Sequence, residues 1–266
     1  MSSVRIRPPR LTGESLLRQP RDQPTRYHAR ADPIRGPTLP ASSPADPLSY
    51  AALKARHRAE RDSFDPGLNL RVHRALSWLD RASQLTAQDD TDGQVIFLWI
   101  AFNAAYATDI DDRALLSEQD SFRAFISALL SLDARERHLE RLVWTEFPGS
   151  IRLLLDNRYV FPPFWEFQKG LLSEAAWEKA FEEARATAHR SLGDGNTERV
   201  LAIVLSRVYT LRNQLVHGGA TWNGSVNRDQ VRDAARFLAR FVPLTLSLMM
   251  DHPRKSWSSP AYPVVS

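Results

Sequence analysis

Three residues suited to handling a phosphate group stand near the end of a predicted helix: Arg212, Asn213 and His217, directly before Gly218 and Gly219. An arginine offers a fork of donors to phosphate oxygens that gain charge in a transition state. A histidine takes a proton from a nucleophile or gives one to a leaving group near neutral pH. On RNA, this pair suffices for attack of a 2′-hydroxyl on the adjacent phosphate without a metal ion. We therefore take Arg212 and His217 as candidate catalytic residues and Asn213 as an accessory polar group.

The helix that carries these residues is predicted to cover about residues 197–218. Its apolar positions recur at steps of three and four, at Leu201, Val204, Leu205, Val208, Leu211 and Leu215. At 100° per residue Arg212 lies on this stripe, whereas His217 lies about 140° away from Arg212. A guanidinium on an apolar stripe requires an anion, an opening or an acidic partner within the chain. The angle favours a site assembled by two copies in a symmetric dimer, the alternatives being a distorted last turn and a histidine that only caps the helix.

The rest of the chain is predicted to be all-α. From Pro47 onward most segments show helical spacing, and none shows the strict alternation of a half-buried strand. Capping boxes are predicted at Thr91–Gln94 and Asn227–Gln230. The first of these precedes residues 95–107, a helix that is apolar all round and must be central. Further helices are predicted from Pro47 to about Asp62, Pro66 to about Leu85, Ser117 to Leu132, Ser173 to about Arg190, and Asn227 toward Met250.

Two groups of residues each allow two interpretations. Asn103 interrupts the central apolar helix, and a buried amide needs partners, so it either links neighbouring helices or supports the candidate site from behind. Residues 144–170 are rich in aromatic side chains and prolines, and these aromatics either stack unpaired bases or pack against a core. The aromatic residues are Trp144, Phe147, Tyr159, Phe161, Phe164, Trp165 and Phe167.

Residues 1–46 are predicted to be a disordered tail rich in proline and arginine. They lack lysine and an apolar period, so they offer too little burial to offset the entropy of ordering. Residues 1–50 hold eight arginines and four acidic residues, which accounts for the whole formal charge of +4. Residues 47–266 are predicted to fold as one helical domain that is neutral overall, so a strongly basic nucleic-acid-binding face is not expected there.

Several classes of protein do not fit the sequence. The chain has no cysteine, which excludes disulfides, thiolate metal sites and cysteine nucleophiles. No phosphate loop or metal-binding motif is present, so we expect neither a metal nor a cofactor. The most apolar segment, 95–107, is too short to span a bilayer, and no secretory signal opens the sequence. We expect a cytoplasmic protein without a membrane partner.

Arg212-Asn213-x-Leu215-x-His217 resembles the Arg-x4-6-His signature of HEPN domains (higher eukaryotes and prokaryotes nucleotide-binding). The helix Leu98-Trp99-Ile-Ala-Phe-Asn103-Ala-Ala-Tyr106 is similar to the Trp-x-Ala-Phe-Asn helix of the ApeA-like HEPN group. The resemblance covers roughly residues 66–263. In toxins silenced by a nucleotidyltransferase partner the motif continues as His-x-Tyr, but Gly219 stands at that tyrosine position here.

The resemblance implies an antiparallel helical bundle, usually dimeric, in which Arg and His of two protomers form a metal-independent endoribonuclease site. It implies that Arg212 stabilises the phosphate, that His217 is the acid or base, and that Asn213 assists. Trp99 and Asn103 would support the site from behind. RNA, a second copy and an antitoxin or regulatory protein are the implied partners, in a toxin or anti-phage defence role. The alternative is an inactive HEPN module that binds RNA, a nucleotide or a protein partner.

Overall fold

The computed structural model describes residues 46–107, 118–225 and 227–257, together with Pro260 and Tyr262. All regular structure within these residues is helical, which confirms the predicted all-α class. The described residues begin at Asp46, so the predicted disordered tail of residues 1–46 lies outside them. No helix in the described ranges is long and apolar enough to cross a bilayer.

Ten α-helices lie in the described part of the chain, and most match the predicted positions within a few residues. Three short segments of other helical types lie between them: 3-10 helices at Arg61–Ser63 and Arg158–Val160, and a π-helix at Leu142–Glu146. The α-helices are α1 Tyr50–Glu60, α2 Pro66–Thr86, α3 Thr91–Tyr106, α4 Glu118–Leu132, α5 His138–Arg141, α6 Pro148–Leu155, α7 Pro162–Gln168, α8 Glu174–Gly193, α9 Thr197–Val216 and α10 Arg228–Asp251.

The capping residues agree with the sequence at one predicted helix start and differ at two. The Ser173 hydroxyl accepts a hydrogen bond from the N–H of Ala176, as predicted for the start of α8. The cap of α3 is Asp90 and not Thr91, because the Asp90 carboxylate accepts the N–H of Gly93 at 2.9 Å. Asn227 precedes α10 with a left-handed φ of 57° and makes no side-chain cap. Both predicted capping boxes are therefore wrong.

The apolar helix α3 is central, as its composition predicts. It packs against α2, α4, α9 and α10. Its largest side chains, Trp99 and Phe102, are fully buried, and the Phe102 ring contacts Phe241 of α10 at 5.4 Å between centroids. The segment that connects α2 to α3, residues 87–90, is short, and the two helices form an antiparallel pair.

Most of the aromatic side chains of residues 144–170 pack against other helices. Phe164 of α7 contacts Trp177 of α8 with ring centroids 5.2 Å apart, and Phe161 contacts Phe181 at 5.4 Å. These rings form a small apolar cluster between α7 and α8, outside the main core. Packing is therefore the main role of the segment, although Tyr159 stays exposed at its edge.

The buried histidine His57 joins α1 to α2. Its Nε2 lies 2.8 Å from Oδ1 of Asn69, so Nε2 carries the proton and donates. Its Nδ1 is buried and has no hydrogen-bond partner among the described residues. Burial lowers the pKa of His57 below the ordinary 6.5, because protonation would place a charge inside the protein.

This burial predicts a pH-dependent stability. The unfolded chain takes up a proton on His57 near pH 6.5, whereas the folded chain resists it. The free energy of unfolding therefore falls as pH drops below that value, with a slope of at most about 1.4 kcal/mol per pH unit from this group, and levels off below the folded pKa. Urea titrations between pH 7 and 5 should show that His57→Gln reduces this slope. The variant His217→Gln, which changes an exposed histidine, should keep it.

Candidate active site at the end of α9

The start of α9 is fixed by two side chains. Oδ1 of Asn196 accepts the N–H of Arg199 at 2.9 Å and caps the helix. Nε1 of Trp144, in the π-helix, donates to Oγ1 of Thr197 at 2.9 Å. Along its length α9 packs against α3, α4, α6 and α8. The helix therefore has a fixed position and direction before it reaches the candidate catalytic residues.

The end of α9 is fixed by two glycines. Gly219 N–H donates to the carbonyl oxygen of Gln214 at 2.7 Å, and Gly218 N–H donates to that of Leu215 at 3.4 Å. Gly218 has a φ of +70°, which favours glycine. This pattern is a Schellman motif, which satisfies carbonyls that lack a helical partner. The double glycine thus ends the helix at Val216, with His217 as the C-cap residue, close to the predicted end at about residue 218.

Asn213 contacts both candidate catalytic residues within one chain. Its Oδ1 accepts a hydrogen bond from Nη1 of Arg212 at 2.9 Å. Its backbone carbonyl accepts the N–H of His217 at 2.9 Å. The three predicted residues are therefore joined at one helix end, with Arg212 and Asn213 partly buried and His217 exposed.

Arg212 is less buried than its position on the apolar stripe predicts. It is partly buried, although Leu211 beside it is 1% exposed. Among the ion pairs of the described residues none involves Arg212, so the intrachain salt bridge considered from the sequence is not found there. Its guanidinium therefore keeps donors that an incoming anion can use.

Exposed apolar side chains precede and follow His217 in the chain. Val216 is 46% exposed, and Trp222, five residues after His217, is 73% exposed. Nε1 of Trp222 donates to Oδ1 of Asp90 at 3.2 Å, so this indole is held in place although it faces water. The imidazole of His217 makes no hydrogen bond to any described residue. It therefore remains accessible to a substrate or to a second copy of the chain.

A second arginine, Arg158, lies near this end of α9, because it packs on Tyr159 and Tyr159 is hydrogen-bonded to Gln214. Nε2 of Gln214 donates to the carbonyl oxygen of Tyr159 at 2.5 Å, and Nε1 of Trp165 donates to the same oxygen at 2.7 Å. The guanidinium carbon of Arg158 lies 5.1 Å from the centroid of the Tyr159 ring. The aromatic segment thus contributes an exposed ring and a cation near Gln214.

A cavity of about 310 Å³ lies against the last turn of α9. Gln214, Leu215 and Gly219 line one part of it, and Trp165 and Asp92 line others. The carboxylate of Asp92 is buried, and its Oδ2 accepts hydrogen bonds from the N–H of Asn223 at 2.7 Å and from Nη2 of Arg228 at 3.0 Å. Asp92 therefore ties the loop after the motif to the start of α3.

The two residues predicted to support the site from behind make no hydrogen bond to it in the described structure. Trp99 is fully buried and its ring packs on Tyr209 of α9 at 5.7 Å between centroids. Trp99 therefore contacts the motif helix three residues before Arg212. Oδ1 of Asn103 is buried and lacks a hydrogen-bond partner among the described residues, so neither interpretation of Asn103 is confirmed.

Sequence reasoning missed several residues that shape this helix and its end. Gln214, Asp92 and Arg228 act through contacts distant in sequence, and no local pattern indicates them. Arg207 is different, because it is a buried arginine on α9 itself, 4% exposed. At 100° per residue it lies about 20° from Val200 and 40° from Leu211, so counting Val200 in the apolar stripe would have indicated its burial.

Within the described ranges, no three histidine or acidic side chains lie together where they could hold a metal ion. Comparisons of the chain with protein-family models, with curated protein sequences and with solved structures found no significant match. The residues and their geometry alone therefore carry the functional argument.

The buried ion pair of Asp92 with Arg228 yields a stability prediction. Asp92→Ala leaves Arg228 without its carboxylate and frees the loop after the motif, so the free energy of unfolding should fall by about 3 kcal/mol. Asp229→Ala is the matched control, because Asp229 pairs with Arg232 on the surface and should cost no more than about 1 kcal/mol. Urea denaturation followed by circular dichroism measures both, and equal losses would contradict a role for the buried pair.

Proposed function

We propose that this chain is a metal-independent endoribonuclease of HEPN type that acts as a toxin or anti-phage defence effector. The observation that carries the proposal is the junction at Asn213, which holds Arg212 by its side chain and His217 by its backbone. Arg212 has no acidic partner among the described residues, and an exposed imidazole lies at the same helix end. These two groups suit the charge and proton requirements of RNA cleavage.

The proposed reaction is an internal transfer at one phosphate. The 2′-hydroxyl loses its proton to an imidazole and its oxygen attacks the adjacent phosphorus. Arg212 stabilises the charge that grows on the non-bridging oxygens. The bond to the 5′-oxygen breaks, this oxygen takes a proton from an imidazolium, and a 2′,3′-cyclic phosphate remains. No water is consumed in this step.

A homodimer is part of the proposal. On one helix Arg212 and His217 lie about 140° apart, so a single chain presents them in different directions. Val216 and Trp222, one residue before and five residues after His217, are exposed apolar side chains that a second copy would cover. A twofold arrangement of the α9 ends would bring the guanidinium of one copy toward the imidazole of the other.

The alternative is a module that binds RNA, a nucleotide or a protein partner without cleaving. The cavity lined by Gln214, Trp165 and Asp92 favours this alternative, because it offers a concave space beside the motif. The cleavage experiment distinguishes the two proposals.

Purified protein incubated with a labelled single-stranded RNA and EDTA should release fragments that end in a cyclic phosphate. Arg212→Ala and His217→Ala should each lower the rate about a hundredfold or more, because one removes charge stabilisation and the other proton transfer. Matched controls are Arg236→Ala and His73→Ala, which change exposed residues away from the motif.

Equal cleavage by native protein and by His217→Ala would contradict the enzymatic proposal. RNA binding without cleavage by the native protein would favour the binding module. Circular dichroism of each variant shows whether a lost rate reflects a lost fold.

The dimer has its own test. Arg212→Ala and His217→Ala are inactive alone, but a mixture that exchanges subunits forms dimers with one intact Arg212 and one intact His217 on opposite copies. Cleavage should reappear in this mixture, because the proposed site combines residues of both chains. Sedimentation should show a dimer for each variant.

A mixture that exchanges subunits yet stays inactive would contradict a site shared between chains. A monomeric native protein that cleaves RNA would contradict the dimer itself.

A further inference from the structure

Arg207 is a buried cation that pairs with no acidic side chain of the described residues. It lies on α9 with 4% of its surface exposed. Its Nη1 donates to the carbonyl oxygen of Val160 at 3.4 Å, and its guanidinium carbon lies 4.6 Å from the centroid of the Phe161 ring. Within the part of the chain that the structure describes, its Nε has no hydrogen-bond partner and Arg207 takes part in no ion pair.

This arrangement is costly for the free protein. A charge removed from water loses several kcal/mol of hydration, and a buried ion is normally compensated by an opposite charge. Arg207 donates one long hydrogen bond and packs against one aromatic face, and these contacts compensate only part of that cost. Burial lowers the pKa of Arg207 to about 10, so the side chain is still charged at neutral pH. An anion that reached the guanidinium would supply the missing compensation.

An open cleft gives access to Arg207. The cleft has a volume of about 370 Å³ and lies between α4, α7 and α9. Apolar walls come from Phe161, Pro162 and Pro163, and an exposed Arg123 of α4 also lines it. Glu166 is the one acidic residue in the lining, so two arginines give the cleft a net positive charge.

We propose that this cleft binds a small organic phosphate, with its phosphate group at Arg207 and an aromatic or apolar body against Phe161 and the two prolines. The two arginines match a doubly charged phosphate better than a singly charged carboxylate. The volume far exceeds that of a free phosphate ion, and the apolar walls would gain no favourable contact from an ion alone. An organic body is therefore part of the ligand.

This site is separate from the proposed ribonuclease site. Arg207 and Arg212 lie about 140° apart around α9, and the cleft does not include Arg212, Asn213 or His217. The proposal does not rest on RNA cleavage, since binding alone is its readout. A bound phosphate would connect α4, α7 and the helix that carries the motif.

Calorimetric titration of the full chain with phenyl phosphate tests the proposal. We expect one site, with inorganic phosphate binding at least about tenfold more weakly because it lacks the ring, and benzoate also binding more weakly because it lacks the second charge. Arg207→Met should weaken phenyl phosphate binding about tenfold to a hundredfold. Arg123→Gln at the exposed side should weaken it about twofold to fivefold. The matched control Arg236→Gln should bind as the native protein does.

Three outcomes would overturn the proposal. They are an absence of phenyl phosphate binding, benzoate binding as tight as that of phenyl phosphate, and Arg207→Met binding as tightly as the native protein. Circular dichroism shows whether Arg207→Met is folded. If it is not, Arg123→Gln decides, because its side chain is exposed and its loss should spare the fold. Unchanged affinity in Arg123→Gln would then place the ligand elsewhere.

Discussion

The candidate site depends on one constraint, which is that the last turn of α9 extends beyond the helices packed around it. Leu211 is 1% exposed, whereas Val216, five residues later, is 46% exposed. Up to Leu211 the helix is held by neighbours on several sides, and beyond it the last turn meets solvent and ends at Val216. Residues in this turn combine a fixed backbone with accessible side chains, a combination that catalytic and binding groups require.

Arg207 and Arg212 of α9 differ from several other arginines of the chain that pair with carboxylates. Arg56 contacts Glu60 and Asp251, Arg185 contacts Asp156 and Glu182, and Arg240 contacts Asp46 and Glu146. Carboxylates are therefore abundant enough to pair buried or partly buried arginines. Arg207 and Arg212 lack such partners among the described residues, although their burial makes pairing more valuable than at the surface. Both are thus available to external anions, at two different faces of one helix.

The sequence predicts the elements well because periodicity and helix boundaries are local. The stripe on α9, the apolar α3 and the Ser173 cap all depend on residues a few positions apart. The sequence does not identify the N-cap of α3, because Asp90 and Thr91 are both good capping residues. The direction in which the chain enters the helix decides between them. The sequence predicts more burial for Arg212 than the structure has, because the helical pattern gives the direction of a side chain but not the point at which the covering helices end. Gln214–Tyr159 and Asp92–Arg228 join residues far apart in sequence, which no local pattern contains.

The contacts of Asn213 bear on the angle of about 140° that separates Arg212 and His217 around α9. The side chain of Asn213 accepts from the guanidinium of Arg212, whereas its carbonyl accepts only the backbone N–H of His217, so Asn213 does not link the guanidinium to the imidazole. A phosphate bound by one chain would therefore meet the arginine or the histidine more readily than both. The exposed Val216 and Trp222 follow Arg212 in the chain and would gain by burial. We infer that one event, the pairing of two α9 ends, would cover these apolar side chains and complete the set of groups that cleavage needs, so that activity would depend on assembly.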